Sequence, residues 1–263
     1  MKQFSAIVTG NALIGSDFFE MTLSWDRSAG IPLPGQFFTI RAAGESVPLL
    51  RRPFAFSAFD EEHGIAMLYQ KRGRGTAIIG AKTAGETLDV LGPLGRPFPL
   101  PAEGKRAILV AGGIGIGPIA FLGATCARKQ VPATLVIGCR SASLLPATLR
   151  LSALSPVICT DDGSLGFRGT TGDYLASILP SIDRAAVIYA CGPMPMLRVC
   201  HEIAVARGID CFVSVEQIMA CGVGACMGCV VRAAGGGYLR ACTEGPVFAS
   251  RELDWDLQKQ VRS

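Results

Sequence analysis

The chain has 263 residues, a formal net charge of +4, 49% hydrophobic residues and only 17% charged residues. This composition supplies enough apolar side chains for packed cores and excludes a disordered or collagen-like chain. The basic residues are scattered, with their densest group at 71–74, so we do not expect nucleic-acid binding. The length predicts two domains and a small third unit.

One uncharged run, from 107 to 127, is long enough to cross a bilayer. Glycines and a proline interrupt its middle, which favours a strand, a glycine turn and a helix over one continuous helix. No secretory signal precedes the first strand-like stretch. We therefore expect a cytoplasmic protein that does not bind membranes.

Residues 1–101 alternate apolar and polar side chains as short antiparallel strands do. Turns rich in Gly, Pro and Asp separate these stretches, which predicts a small antiparallel β-barrel. The turn-rich segment 91–97 marks the expected end of this domain. The alternating apolar positions are Phe4, Ala6, Val8, Met21, Leu23, Trp25, Phe38, Ile40, Phe54, Phe56 and Ala58.

Residues 102–211 change to alternating strands and helices, which predicts a parallel α/β domain with helices on both faces of its sheet. The remaining residues, 212–263, are crowded with cysteine and glycine and predict a small cluster-binding subdomain. In the α/β domain, strands are expected at 107–111, 134–138, 157–160 and 186–190, and helices after Pro118 and over 173–179 and 194–206.

Three cysteines near the C-terminus, Cys221, Cys226 and Cys229, have the spacing C-x4-C-x2-C, and Cys242 follows. This is the plant-type [2Fe–2S] arrangement, and the intervening glycines allow backbone N–H groups to point at sulfur. Zinc and unliganded thiols are the alternatives, but zinc sites usually show two short Cys pairs, and one is present here. We expect the cysteines in predicted strands and helices to be buried apolar residues: Cys126, Cys139, Cys159, Cys200 and Cys211.

A glycine-rich turn joins the strand at 107–111 to the following helix and predicts a nucleotide site. Its glycines permit a close approach of pyrophosphate, and the helix N-terminus favours an anion. The pattern G-x-G-x-G departs from the dinucleotide fingerprint, so a simple tight turn is the alternative. The candidate residues are Gly112, Gly113, Gly115, Gly117 and Pro118.

A second junction follows the strand at 186–190, at the same expected edge of the sheet. Gly192 and Pro193 are further candidates for contact with a nicotinamide nucleotide. Cys191 is the candidate catalytic residue, placed to touch the nicotinamide ring, with simple packing as the alternative.

These motifs, in this order, resemble the electron-transfer subunits of type B dihydroorotate dehydrogenases, within the ferredoxin–NADP reductase superfamily. The resemblance extends over essentially the whole chain, and the ordered set is more specific than any single piece. The segments that carry it are 50–54, 72–76, 91–95, 112–118, 160–164, 191–196 and 215–221.

The resemblance implies that FAD binds to the barrel, with Arg52 pairing with its pyrophosphate. The family usually has serine at the position of Ala55, where a hydroxyl faces the flavin ring, and Ser57 lies roughly 6–7 Å further along the strand. A changed flavin potential or hydride-transfer rate is therefore expected. The implied FAD contacts are Arg52, Pro53, Phe54, Ala55, Gln70, Lys71, Arg72, Gly75 and Thr76.

The resemblance further implies an NADH-oxidising subunit that passes electrons through FAD and a [2Fe–2S] cluster to FMN on a dihydroorotate dehydrogenase catalytic subunit, in a heterotetramer of two copies of each. Neither histidine, His63 or His201, is a candidate base for dihydroorotate. NADPH remains an alternative because Arg140 follows the second α/β strand. Other candidates are the small subunit of an NADH-dependent ferredoxin:NADP oxidoreductase, a sulfide dehydrogenase or a hydrogenase, and a non-enzymatic redox sensor.

Overall fold

The computed structural model describes residues 1–42, 48–147 and 154–256. The N-terminal part is a curled, seven-stranded antiparallel sheet in the order β4-β3-β7-β1-β2-β6-β5, with the short helix α1 after β6. Its elements are β1 Lys2–Leu13, β2 Phe18–Leu23, β3 Phe37–Arg41, β4 Arg52–Ala55, β5 Ala58–Asp60, β6 Gly64–Gln70, α1 Arg74–Gly80 and β7 Thr87–Leu94.

Aromatic side chains fill the centre of this sheet. Phe38 and Phe56 are fully buried, with ring centroids 4.8 Å apart, and Trp25 packs edge-on against Phe56 at 5.2 Å. Such edge-to-face pairs stabilise a core beyond the area that they bury. The alternation in residues 1–101 therefore predicted the core correctly.

Two local expectations in this part were wrong. The stretch from Phe54 to Ala58 forms two strands, β4 and β5, rather than one. The expected turn at 91–97 begins too early, because β7 continues to Leu94. Pro93 is tolerated there because it lies beyond Gly92, the last residue of β7 that pairs with β1, and needs no ladder hydrogen bond.

The second sheet also has seven strands, in the order β11-β10-β9-β8-β12-β13-β16, and every neighbouring pair is parallel except β13 with β16. Alternate residues of β8 pack on opposite faces: Leu109 lies with helix α2, and Ile108 lies with α3 and α4. The elements are β8 Arg106–Gly112, α2 Ile116–Arg128, β9 Ala133–Cys139, β10 Val157–Thr160, β11 Phe167–Arg168, α3 Thr171–Ser177, β12 Ala186–Cys191, α4 Met194–Arg207, β13 Asp210–Ser214 and β16 Val247–Ala249.

The cysteine-rich segment lies between β13 and β16 and contains the hairpin of β14 Val230–Arg232 and β15 Tyr238–Arg240. The boundary expected between 211 and 212 falls inside β13, which pairs with β12 over its whole length. The α/β sheet therefore extends to Ser214 and regains a strand after the cluster segment. No helix among the described residues is long and apolar enough to cross a membrane.

Candidate functional site

Arg52, at the start of β4, lies against the beginning of α1. A Cβ added to Gly75 would lie 2.8 Å from Arg52 Nε, so a side chain at this position would displace the guanidinium from the turn. Arg52 Nη1 donates to the Leu50 carbonyl. Arg52 has no carboxylate partner within the described ranges. A guanidinium beside the backbone of a helix start, with no neutralising acid, fits a pyrophosphate.

The polar side chains of the loop between β6 and α1 form hydrogen bonds within the loop. Thr76 Oγ1 accepts hydrogen bonds from the backbone N–H groups of Arg72, at 2.9 Å, and Gly73, at 3.1 Å. Its hydroxyl therefore stabilises the turn, and the backbone is what Thr76 offers to a phosphate. Gln70 Oε1 accepts from Arg72 Nε at 3.0 Å, while Lys71 is exposed.

The remaining expected FAD contacts lie on β4. Phe54 points into the core, where its ring meets Tyr69 at 5.9 Å, so it offers only backbone to a flavin, whereas Pro53 and Ala55 lie half-buried on the opposite face of β4. Ser57 is buried beside Gly117 of α2, and its hydroxyl has no hydrogen-bond partner among the described residues.

A cleft of about 930 Å³ opens at the carboxyl ends of the parallel strands. Gly112 and Gly113 line it after β8, Gly192 and Pro193 line it after β12, and Gln70 and Arg72 approach from the first sheet. A Cβ on Gly112 would lie 2.9 Å from Met196 Sδ, so the turn packs closely on helix α4. The cleft has the place and size of a dinucleotide site in an open parallel sheet.

Four expected site residues do not line the cleft and are packed inside the protein instead. A Cβ on Gly115 would lie 2.0 Å from the Cys191 carbonyl oxygen. Gly115 therefore lets the turn after β8 pack directly against the end of β12. Gly117 and Pro118 are buried in α2. The Cys191 side chain is 4% exposed, and burial, followed by the charge of Glu216, raises its pKa to about 12. Its thiol therefore stays protonated, in agreement with the packing alternative.

Glu216 is a cleft residue to which the sequence assigned no role. It follows β13 and lines the cleft with Arg72. Burial raises its pKa, while the charge of Arg72 acts in the opposite direction. The side chain keeps exposed surface toward the cleft although protein surrounds its other sides. Strand ends at this edge of a parallel sheet collect functional side chains, but the signal requires recognising 210–214 as a strand of that sheet.

The far end of the cleft carries charges of both signs. Arg140 follows β9 and Asp161 follows β10, and both are exposed. Arg140 has no ion-pair partner in the part of the chain that the structure describes. Such a guanidinium is suited to a nucleotide phosphate.

The four cluster cysteines meet as two pairs. The Cys226 thiol lowers the pKa of Cys221, and the Cys229 thiol raises the pKa of Cys242, so the side chains lie near each other as two pairs. Among the described residues, no three potential ligands converge on a point for a single metal ion. Two thiol pairs suit two irons with two thiolates each, whereas zinc requires one tetrahedral set. The donor set therefore fits a [2Fe–2S] cluster.

Backbone N–H groups point at these sulfurs, as the glycine content predicted. Gly224 N lies 3.1 Å from Cys242 Sγ, and Gly228 N lies 3.4 Å from Cys226 Sγ. Val223 N lies 3.4 Å from Cys221 Sγ. Burial raises the pKa of Cys221, but the N–H groups of Val223, Ala225 and Cys226, together with the Cys226 thiol, outweigh it and bring the pKa to about 6. The loop thus favours the thiolate at Cys221, whereas burial and the Cys229 thiol raise the pKa of Cys242 to about 11 despite the Gly224 N–H group.

The cluster loop also touches the first sheet. A Cβ on Gly222 would lie 3.2 Å from Cγ2 of Thr39, on β3. Thr39 pairs directly with Pro53 on the expected flavin strand. Its buried Oγ1 has no hydrogen-bond partner among the described residues. The cluster loop and the expected flavin strand therefore both contact β3, and both do so at Thr39.

The other cysteines and histidines lie outside these sites, except that Cys139 also borders the cleft. Cys126, Cys159, Cys200 and Cys211 are buried, as expected. His63 is exposed and contacts Asp60 at 2.7 Å. His201 accepts or donates a hydrogen bond at Ser250 Oγ, 3.0 Å away.

The chain is similar to known proteins both in its cysteine-rich segment and over nearly its whole length. Residues 216–254 match the iron–sulfur cluster binding domain of dihydroorotate dehydrogenase B. The electron transfer subunit of dihydroorotate dehydrogenase B (NAD(+)) from Geobacillus thermodenitrificans is 38% identical over 252 residues, which cover 94% of this chain and 96% of that one. The chain belongs to this family of electron transfer subunits.

Solved structures of other reductases share the fold. An NADH-dependent reduced ferredoxin–NADP oxidoreductase, studied for flavin-based electron bifurcation, superposes with a TM-score of 0.83 and 28% identity, over 95% of this chain and 90% of that one. A ferredoxin NADP+ reductase from Neisseria gonorrhoeae with bound FAD and NADP has a TM-score of 0.66 at 17% identity, over 79% and 92% of the chains, and shares the fold.

Proposed function

We propose that this chain oxidises NADH and delivers the electrons to FMN on a dihydroorotate dehydrogenase catalytic subunit, within a cytoplasmic heterotetramer of two copies of each subunit. The relatives' description as electron transfer subunits supports a catalytic partner. One structural observation carries the proposal: Thr39 of β3 contacts Gly222 of the cluster loop and pairs with Pro53 of the expected flavin strand.

FAD, when bound, accepts electrons in pairs, and a [2Fe–2S] cluster accepts them singly, so together they connect hydride donors to one-electron carriers. Arg52 and the start of α1 would hold the FAD pyrophosphate. The glycine turns after β8 and β12 would hold NADH and exclude water from its reactive end. Cys221, Cys226, Cys229 and Cys242 would ligate the cluster.

Glu216 can influence the reaction through its charge. Among the acids that line the cleft, Glu216 is the nearest to the cluster loop in sequence, and the protein packed around its carboxylate raises its pKa. Arg72 offsets that charge, and its guanidinium is held by Gln70. We propose that the opposite charges of Glu216 and Arg72 offset each other in the cleft between the two sheets when a nucleotide enters.

The surface around the cluster loop suits a protein partner. Ile218, Val223 and Met227 are 70%, 39% and 52% exposed, and Cys226 is exposed beside them. Apolar side chains grouped around an electron exit favour close docking, because a dry contact shortens the path between carriers. The catalytic subunit is the proposed occupant.

The decisive test mixes the holo-chain anaerobically with the FMN-containing catalytic subunit of the same organism and follows NADH-dependent reduction of orotate. We expect turnover with both subunits present and a complex of two copies of each by light scattering. A Cys226→Ser chain should bind FAD but support no turnover. Flavin reduction by NADH without any orotate reduction would contradict the proposed partner.

The structural likeness to the reduced ferredoxin–NADP oxidoreductase supports a second candidate, a small subunit of that kind of complex. Both candidates use the same three cofactor sites and differ in the protein that takes the electrons. Turnover with a ferredoxin:NADP oxidoreductase large subunit, and none with the dihydroorotate dehydrogenase catalytic subunit, would favour this second candidate.

A further inference from the structure

Arg240 ends strand β15, two residues before Cys242, and its guanidinium makes contacts in two directions. On one side, Nε lies 3.0 Å from Glu244 Oε2, and Nη2 contacts Oε1 of the same carboxylate. On the other side, Nη1 donates to the carbonyl oxygen of Gly224 at 3.2 Å. One side chain therefore connects a carboxylate to the backbone of the cluster loop.

Gly224 is the residue whose N–H group lies 3.1 Å from Cys242 Sγ. Its φ of +85° belongs to the left-handed region, and an added Cβ would lie 2.9 Å from Cγ2 of Thr243. Gly224 is therefore held on three sides: by the guanidinium at its carbonyl, by the sulfur at its N–H, and by the turn that carries Cys242.

The carboxylate that orients the guanidinium is itself fixed. Glu244 Oε2 accepts a hydrogen bond from the backbone N of Arg240 at 2.6 Å, and Glu244 N donates to Arg240 O at 2.9 Å. The two side chains are only 36% and 26% exposed. A bidentate, partly shielded pair of this kind has little freedom to rotate.

We propose that Arg240 is a positioning residue for the cluster: by linking Glu244 to the Gly224 carbonyl, it fixes the N–H···S bond on Cys242 and raises the reduction potential. An N–H donor stabilises the more negative charge of a reduced cluster, so holding the donor in place favours reduction. The inference rests on the cluster and not on the partner that receives the electrons.

Lysine at position 240 separates positioning from charge. It keeps the positive charge beside the loop, but its single nitrogen cannot reproduce a planar guanidinium that contacts the carboxylate through two nitrogens and the carbonyl through a third. Glutamine removes the charge as well. Arg251→Lys is the matched control, because it makes the same exchange in an arginine that pairs with Asp210.

The experiment is an anaerobic potentiometric titration of the cluster in the isolated holo-chain, followed by EPR. At the wild-type midpoint, we expect Arg240→Lys and Arg240→Gln each to show a roughly tenfold lower ratio of reduced to oxidised cluster, which for one electron is about 59 mV. Resonance Raman spectra should show altered Fe–S stretching modes in both variants. Arg251→Lys should match the wild type in both measurements.

Three results would overturn the proposal. A normal midpoint in Arg240→Lys with a lowered one in Arg240→Gln would assign the effect to charge alone. Normal midpoints in both would remove any role in the potential. If Arg240→Lys loses the cluster but keeps FAD and its reduction by NADH, the residue holds the loop together rather than setting the potential. None of these results bears on which subunit is the electron acceptor.

Discussion

The backbone of Gly222, in the cluster loop, lies against Cγ2 of Thr39, on β3 of the first sheet, with 3.2 Å between that carbon and the position of an added Cβ. Because Thr39 is also paired with Pro53, this contact brings the cluster loop next to the strand expected to carry flavin. This contact and the other sites described above each lead to a prediction that can be measured.

Gly222→Ala should destabilise the protein for two reasons. The φ of +71° is unfavourable for alanine by about 1–2 kcal/mol, and the new methyl group presses on Thr39. Gly85→Ala is the control for φ alone, because Gly85 has a φ of +92° and no atom within 4 Å of an added Cβ. In urea denaturation, Gly222→Ala should lose more stability than Gly85→Ala, and adding Thr39→Ser should remove the difference. Equal losses in both alanine variants would show that the contact carries no energy.

Cys226→Ser should abolish the cluster while FAD stays bound, because the thiol pairs lie between β13 and β16 and the expected FAD contacts lie on β4 and α1. Iron analysis and visible absorption measure the loss of the cluster, and release of the flavin by heat measures how much FAD stays bound. Cys139→Ser, which alters a half-buried cysteine outside the loop, should retain both cofactors. Joint loss of iron and FAD from Cys226→Ser would show that the two sites do not fold independently.

Arg52→Ala should weaken FAD binding by roughly 10- to 150-fold, which corresponds to about 1.5–3 kcal/mol for a hydrogen bond to a charged group. Fluorescence titration of the apoprotein with FAD gives the dissociation constant. Arg27→Ala is a suitable comparison, since Arg27 contacts Glu61 on the exposed surface. An unchanged affinity in Arg52→Ala would place the pyrophosphate elsewhere.

Glu216→Gln should change how stability depends on pH. Burial raises the Glu216 pKa above its ordinary value of 4.5, so the protonated form is the one favoured by folding. Wild-type stability relative to Glu216→Gln is therefore greatest below that ordinary value and is lost as pH rises through the raised pKa. Urea denaturation of the apoproteins between about pH 4 and about pH 7 measures the trend. The exposed Glu103→Gln variant serves as control, and a difference that grows toward high pH in favour of wild type would contradict the assignment.

Arg140→Ala should affect NADPH more than NADH, because a guanidinium at the cleft end can pair with a 2′-phosphate that NADH lacks. We expect NADH to reduce the flavin faster in the wild type, and the variant to lower the NADPH rate about tenfold, as loss of one charged hydrogen bond predicts. Stopped-flow flavin bleaching compares the two nucleotides. Arg128→Ala, on the exposed end of α2, should leave both rates unchanged. A wild-type preference for NADPH would reverse the expected cofactor.

The sequence predicted the parts of the site that depend on local spacing. Three of the four cysteines lie within nine residues, so C-x4-C-x2-C with the following Cys242 was sufficient to propose the cluster ligands. The glycine turns after β8 and β12 were found for the same reason, because each begins where an apolar strand ends. The antiparallel and parallel sheets followed from two different apolar periodicities.

Features that depend on distant neighbours were missed. Glu216 reaches the cleft because β13 lies beside β12, and no local pattern carries that pairing. Cys191 was placed at the correct strand end, but its side chain shares the core face of Tyr189 rather than facing the cleft. Strand β16 could not be separated from the cluster segment, since its pairing with β13 joins residues on either side of that segment.

The pairing of β13 with β16 means that the cluster segment enters and leaves through adjacent strands of one rigid sheet. The Val215 N–H group also donates to the Pro246 carbonyl at 2.9 Å, which closes the base of the segment. A carrier anchored in this way does not swing on a tether between donor and acceptor. The speed of internal electron transfer is then governed by driving force and separation, and solvent viscosity should have little influence on it.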